Sequence, residues 1–104
     1  MTIRFNNQYL EKVFKNQFVA GKPRYGADVI LKFKKTVLKL QFAGNIRELH
    51  QLKGLHFEAL KGDYAGFHSV RVDGKYRLIL EIQEGTVIGI KEILVIEDLT
   101  NHYR

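Results

Sequence analysis

Ser69-Val70-Arg71-Val72-Asp73-Gly74-Lys75-Tyr76-Arg77-Leu78-Ile79-Leu80 decides the fold. Two alternating runs flank Asp-Gly, a strong signal for a β-hairpin. A two-residue turn would pair Val70 with Arg77 and mix apolar with charged side chains on one face. The apolar positions are Val70 and Val72 on one arm and Tyr76, Leu78, Leu80 and Ile82 on the other. All are even-numbered, so they share a face only if paired positions have the same parity. A three-residue loop does this, with Gly74 expected in a left-handed conformation beside a bulge. Ser69, Arg71, Arg77, Ile79 and Glu81 then share the opposite face. Two arginines so placed repel each other unless an anion lies between them. The alternative is that one of them snorkels or pairs with Glu81.

Downstream of residue 55 the apolar period is close to two. Leu55–Lys61, Phe67–Val72, Tyr76–Ile82 and Thr86–Glu97 read as strands, separated by Gly62-Asp63, Asp73-Gly74 and Glu84-Gly85. Short connections imply antiparallel pairing. Upstream the period is helical. Thr2–Phe5 reads as an edge strand, and Asn6 or Asn7 caps a helix carrying Leu10, Val13, Phe14 and Phe18, stopped by Gly21 and Pro23. A second helix is expected from about Gly26 to Phe42. Val29, Ile30, Phe33, Val37 and Leu40 form its apolar face, and Lys32, Lys35 and Lys39, with Lys34 beside them, line the other. Asn45 caps a short third helix bracketed by Gly44 and Gly54. The expected class is α+β: helices packed on one face of a small, mainly antiparallel twisted sheet.

The 104 residues suit one domain spanning 1–104, and 45% hydrophobic content supplies one core. Without Cys there is no disulfide, thiolate metal site or thiol nucleophile. No leader-like segment or membrane-length apolar run is visible, so a soluble cytoplasmic protein is expected. The net charge of +6 is uneven. Residues 1–54 hold eleven Lys/Arg against three acids, and residues 55–104 hold six against eight. A polyanion would be drawn to the first half. A solvated helix face or an acidic protein partner fits the same pattern.

Metal-free RNA cleavage requires a base for the attacking 2′-hydroxyl, an acid for the departing 5′-oxygen, and fixed cations for the phosphate. Glu58 offers the base, His102 the acid, and Lys61, Arg71 and Arg77 the cations; Tyr103 can stack on a base or donate a hydrogen bond. Lys32, Lys35 and Lys39 are candidates for tracking the backbone. Each has a plainer reading, such as a Glu58–Lys61 surface pair or a frayed C-terminal tail. Glu58 and Lys61 differ by three, so they face opposite sides unless Lys61 lies beyond the strand end or a bulge intervenes. His50, His56 and His68 lack ligand-like spacing, and neither a metal nor another cofactor is expected. His50 reads as a surface helix residue and His56 as a half-buried strand residue.

Glu58-x-x-Lys61, Gly66-Phe67-x-Ser69-x-Arg71, Arg77-Leu78 and His102-Tyr103 resemble the RelE/ParE superfamily of toxins from toxin–antitoxin pairs, especially its YoeB-like branch. Leu60-Lys61-Gly62-Asp63 followed by Gly66 is similar to the HigB-like branch. The resemblance is concentrated in residues 57–82 and the last few residues. It implies a ribosome-dependent endoribonuclease that cuts messenger RNA and is silenced by a cognate antitoxin; an acidic segment of that antitoxin is expected to lie over the basic helices or to displace the C-terminal tail. It further implies Glu58 as base, Arg77 on the scissile phosphate, His102 as acid, Tyr103 on the RNA, a functional Lys61, and basic helices against ribosomal RNA. His68 stands where the family usually has Trp, Arg104 follows His-Tyr, and Asp98 is a secondary candidate only. The competing expectations are a ParE-like inhibitor of DNA gyrase, which needs no base–acid pair, and an inactive binding member of the superfamily.

Overall fold

In the computed structural model, which describes residues 1–85, 88–89 and 92–102, the even-numbered apolar residues of the hairpin do face the core. The strands are β1 (Thr2–Phe5), β2 (Glu58–Ala59), β3 (His68–Arg71), β4 (Arg77–Glu84) and β5 (Glu92–Thr100), and the helices are α1 (Gln8–Phe14), α2 (Ala27–Phe42) and α3 (Ile46–Gln51). The strands form one sheet in the order β1-β5-β4-β3-β2. β1 runs parallel to β5, and the other neighbours are antiparallel. Val70, Leu78, Leu80, Leu94, Ile96 and Leu99 meet Leu10, Phe33, Val37, Leu40 and Leu49 of the helices in one buried cluster. This is the expected α+β architecture, with the helices covering one face.

The register comes from the loop. Val70 pairs with Leu78 and Arg71 with Arg77, and Val72 N–H donates to the Tyr76 carbonyl, closing three residues between them. Gly74 is not left-handed, contrary to expectation. The carboxylate of Asp73 makes the turn instead, accepting from Lys75 N at 2.8 Å and Tyr76 N at 2.6 Å. The sheet's irregularity lies elsewhere. Leu78 pairs with Leu99 and Leu80 with Ile96, so β5 carries one extra residue, and Ile96 and Leu99 both point into the core despite their odd spacing.

Three other expectations are corrected. α1 stops at Phe14 rather than near Gly21. Asn16 takes a left-handed φ of 58°, a conformation Asn tolerates, and it leaves Phe18 outside the helix and 86% exposed. The expected strand Leu55–Lys61 shrinks to Glu58–Ala59, because Lys53–Leu55 forms a 3₁₀ turn and His56 is left-handed at φ 46°. His56 is therefore an exposed turn residue, not a half-buried strand residue. The last strand runs Glu92–Thr100. Of the residues placed at its expected start, Thr86, Val87, Ile90 and Lys91 lie outside the described ones.

The caps follow the sequence. Asn7 Oδ1 accepts from Leu10 N at 3.1 Å and starts α1, and Asn45 Oδ1 accepts from Glu48 N at 3.0 Å and starts α3. The Glu48 carboxylate reaches back to Gly44 N at 2.6 Å, a reciprocal arrangement close to a capping box. Among the described residues, no helix is long and apolar enough to cross a membrane.

Candidate active site

Arg71 and Arg77 stand directly opposite each other on the β3–β4 hairpin, on the sheet face away from the core. Their repulsion is relieved by sending the two guanidinium groups to different partners. Arg77 Nε donates to Ser69 Oγ at 2.8 Å, its Nη2 donates to the His56 carbonyl at 2.8 Å, and Nη2 lies 3.3 Å from Glu58 Oε1. Arg71 Nε donates to the Asp73 carbonyl at 3.2 Å. Neither arginine pairs with Glu81, whose carboxylate accepts from Gln83.

The supports of Arg77 come from neighbouring strands. Ser69 is fully buried, so its hydroxyl is a rigid acceptor. Glu58 pairs with Ser69 across β2 and β3, which brings its carboxylate to Arg77. The left-handed turn at His56 aims a backbone carbonyl at the same guanidinium. Arg77 Nε and Nη2 are thus engaged while its side chain stays 20% exposed, and that of Glu58 is 52% exposed.

His56, Arg71, Asp73, Gly74, Lys75 and Arg77 line an open cleft of about 370 Å³. Three of these residues are cations. The single carboxylate, Asp73, is occupied by two backbone N–H groups, and its pKa lies below the ordinary value, chiefly through the hydrogen bond from Tyr76 N. The cleft therefore favours an anion.

A second cleft, of about 490 Å³, lies across the hairpin tip. It shares Asp73, Gly74 and Lys75 with the first and adds Asp28, Val29 and Lys32 of α2, Tyr76 and Asn101. The C-terminal tail thereby meets the hairpin. Thr100 pairs with Arg77, and the exposed His102 follows, its N–H donating to Thr100 Oγ1 at 3.0 Å. The end of β5 is held from α2's side by Tyr25, whose hydroxyl donates to the Leu99 carbonyl at 2.7 Å. Burial, then the charge of Asp98, pushes the Tyr25 pKa up to about 12. Tyr25 also stacks edge-on with Tyr76, ring centroids 5.7 Å apart.

The candidates named from sequence divide accordingly. Glu58, Arg71 and Arg77 are brought together. Lys61 lies beyond the end of β2, before a 3₁₀ turn at Gly62–Tyr64, exposed and not lining the anion cleft. Lys32 faces the hairpin-tip cleft. Lys35 and Lys39 instead flank a groove between α2 and α3. Tyr103 and Arg104 lie outside the described residues. Asp98 is exposed and accepts from Leu99 N.

His68 lies on the core side. It stacks flat on Phe57 with centroids 5.1 Å apart, and His50 meets Phe57 edge-on at 4.9 Å. Burial, and then the nearby His50, lowers the His68 pKa, and His68 Nδ1 is buried without a partner among the described residues. A neutral imidazole stacked on Phe57 is a flat aromatic filling, so His68 serves packing here. No group of possible metal ligands occurs among the described residues.

Lys75, the His56 carbonyl and Tyr25 were not anticipated as parts of the site. Lys75 was legible, as a cation at a hairpin tip between two arginine-bearing arms. A backbone carbonyl and a phenol fixing a strand end leave no mark in sequence.

A family model described as the RelE-like toxin of type II toxin–antitoxin system HigB matches residues 3–91. Solved structures share the fold at low identity. A YoeB/ParE toxin from Agrobacterium tumefaciens is 18% identical, with a TM-score of 0.55 over 99% of this chain and 100% of that one. YafQ from E. coli strain BL21(DE3) is 11% identical, with a TM-score of 0.55 over 96% of this chain and 91% of that one. The YoeB–YefM complex from Staphylococcus aureus gives 17% identity and a TM-score of 0.54 over 99% and 98%. No curated protein matches the chain.

Proposed function

The chain belongs to the HigB-like family of RelE-like toxins of type II toxin–antitoxin systems, and on that premise we propose that it cuts messenger RNA on the ribosome by metal-free transesterification at the Arg71–Arg77 cleft. The observation that carries this reading is Arg77 itself. It is fixed by Ser69 and the His56 carbonyl, faces Arg71, and touches the Glu58 carboxylate.

In this reading the scissile phosphate enters between Arg71 and Arg77, with Lys75 adding charge at the rim. Arg77 then exchanges part of its contact with Glu58 for the phosphate. A half-exposed pair contributes about 0–1 kcal/mol, well below the strength of a charge-assisted arginine–phosphate contact, so the exchange is favourable. The released Glu58 carboxylate takes the proton of the 2′-hydroxyl, whose oxygen attacks the adjacent phosphorus. The bond to the 5′-oxygen breaks, and His102 on the neighbouring tail gives that oxygen its proton. The products are a 2′,3′-cyclic phosphate and a free 5′-hydroxyl. Both arginines and Lys75 stabilise the five-coordinate phosphorus between these states.

A cognate antitoxin is the expected silencing partner, since the family is that of toxin–antitoxin toxins. The test is induced expression of the chain and of its Glu58→Ala, Arg77→Ala and His102→Ala variants, with growth and circular dichroism followed together. Growth arrest by the parent that is lost in folded Glu58→Ala and Arg77→Ala supports nuclease action. Arrest retained in all three folded variants contradicts it and moves the weight to a target such as DNA gyrase.

A further inference from the structure

The segment that holds Arg77 is lightly anchored. β2 is an edge strand of two residues, paired with β3 through Glu58 with Ser69 and Ala59 with His68. Leu60 N also donates to the Phe67 carbonyl at 2.9 Å. Upstream, His56 turns left-handed at φ 46° as the chain leaves the 3₁₀ turn. Yet this short arm delivers two of the three groups around Arg77, the His56 carbonyl and the Glu58 carboxylate. Phe57 lies between them, and strand alternation sends its ring to the opposite side of the sheet. There it packs against the core and lies nearly parallel to the His68 imidazole, with 8° between the ring planes. His50 of α3 meets the same phenyl ring edge-on.

We infer that the Phe57–His68 stack is the clamp that sets this arm, which makes a neutral His68 a positioning residue for Arg77 and Glu58. It acts through Phe57, from the sheet face away from the arginine cleft. The same stack makes the arm sensitive to acid. His68 Nδ1 is buried without a partner among the described residues. A neutral ring leaves that nitrogen a bare acceptor, whereas a charged ring makes both nitrogens donors. Nδ1–H is then a buried, charged donor with no acceptor, which is costly. The attraction of the cation to the Phe57 face offsets only part of that cost. The groups facing His68 bring no acid. Its partners across β2 and β4 are Ala59 and Leu80, and α3 brings His50, whose charge disfavours a second one. Burial, then His50, sets the His68 pKa below the ordinary 6.5. The neutral stack is therefore whole above that ordinary value and is lost as pH falls below it through the lower, folded value. Once the stack opens, residues 56–58 are released and Arg77 loses two of its three supports. This inference rests on the RNA-cleavage reading for its effect on rate, but not for its effect on Arg77.

The experiment follows the Arg77 Nε–H and His68 Cε1–H nuclear magnetic resonance signals of the full chain from about pH 7.5 to 5.5. Cleavage of ribosome-bound messenger is measured over the same range in the parent, His68→Phe and His68→Ala. His68→Phe keeps a flat ring and removes the titrating nitrogen, and comparison with the parent cancels the ribosome's own response to pH. The expected result is an Arg77 shift at the His68 midpoint in the parent that is missing in His68→Phe. Cleavage by His68→Phe should match the parent at about pH 7.5 and lack part of the parent's decline below about pH 6.5. His68→Ala, with no ring to stack, should lose about tenfold or more in kcat while KM holds, as when a reacting group is misplaced. An Arg77 signal that ignores the His68 titration overturns the inference, as does an equal acid decline in the parent and His68→Phe. A lower melting temperature in His68→Ala with kcat unchanged also overturns it and leaves the stack as packing. If His68→Phe folds poorly, the coupling of the two signals in the parent decides. A parent that shows this coupling and cleaves no RNA concerns the cleavage reading alone.

Discussion

Arg77 holds three partners from two directions, and its fork geometry does this where a point charge would not. Arg77→Lys keeps the charge and loses the simultaneous reach to Ser69 and His56. Turnover in a defined RNA-cleavage assay is expected to fall about a hundredfold for Arg77→Ala, the scale of losing one fixed transition-state donor, and Arg77→Lys recovers only a minor part. Full activity in Arg77→Lys would show that charge alone matters. Glu58→Gln preserves shape and removes the proton acceptor, so the rate is expected to drop about 10²-fold or more with RNA binding retained. At this scale the sequence marked Glu58, Arg71 and Arg77 as candidates that the strands bring together, because residue type and strand parity are both local. It did not carry the His56 carbonyl, whose aim depends on a left-handed backbone no side chain announces.

Elements supply the orientation. The hairpin turn rests on the Asp73 carboxylate, whose folded pKa lies below its ordinary value. A carboxylate depressed in the folded state stabilises most above its unfolded pKa, and the contribution is lost as pH falls through the lower, folded value. Amide exchange at Lys75 and Tyr76 is therefore expected to accelerate as pH falls below about 4 relative to the sheet centre, and Asp73→Ala should remove that pH dependence. The β5 end behaves similarly. Tyr25→Phe deletes the donor to the Leu99 carbonyl, and a loss of about 1 kcal/mol in denaturant stability is expected. Cleavage should suffer with it, since His102 follows this strand end, whereas RNA affinity should hold; equal losses of both would contradict a role in placing the tail. Asn7→Ala is expected to lower stability by about 1 kcal/mol through loss of the α1 cap. Hairpin register and caps were legible because they are set within a few residues. The shortness of β2, the early stop of α1 and the bulge in β5 were not. The first two are set by left-handed backbone at His56 and Asn16, which no side-chain period announces, and the third by packing that overrides a local alternation, as Leu99 and Ile96 both enter the core.

For the whole molecule, the chain's charge and its core divide the labour. The helical layer covers one sheet face and carries the excess of Lys and Arg, and the opposite face presents the arginine cleft. Phe33 lies fully buried where α2 meets the sheet, and Phe33→Ala is expected to cost about 3–5 kcal/mol in denaturant unfolding. That is enough to threaten a small domain, so loss of toxicity there reports folding and not chemistry. The parallel pairing of β1 with β5 was hidden from sequence, because it joins the two ends of the described chain and no local period encodes it. The groove over Leu38 and Phe42 was hidden for a different reason. The lysines around it read as one solvated stripe until exposure distinguished the leucines and phenylalanine between them.

The central claim is cleavage of messenger RNA at the Arg71–Arg77 cleft with Glu58 as base. Primer extension on a defined messenger RNA, incubated with the purified chain with and without translating ribosomes, tests it directly. Cuts within the ribosomal A-site codon, absent without ribosomes and absent with Glu58→Ala, are the predicted result. A folded, growth-arresting chain that leaves the messenger intact in both conditions would contradict the claim.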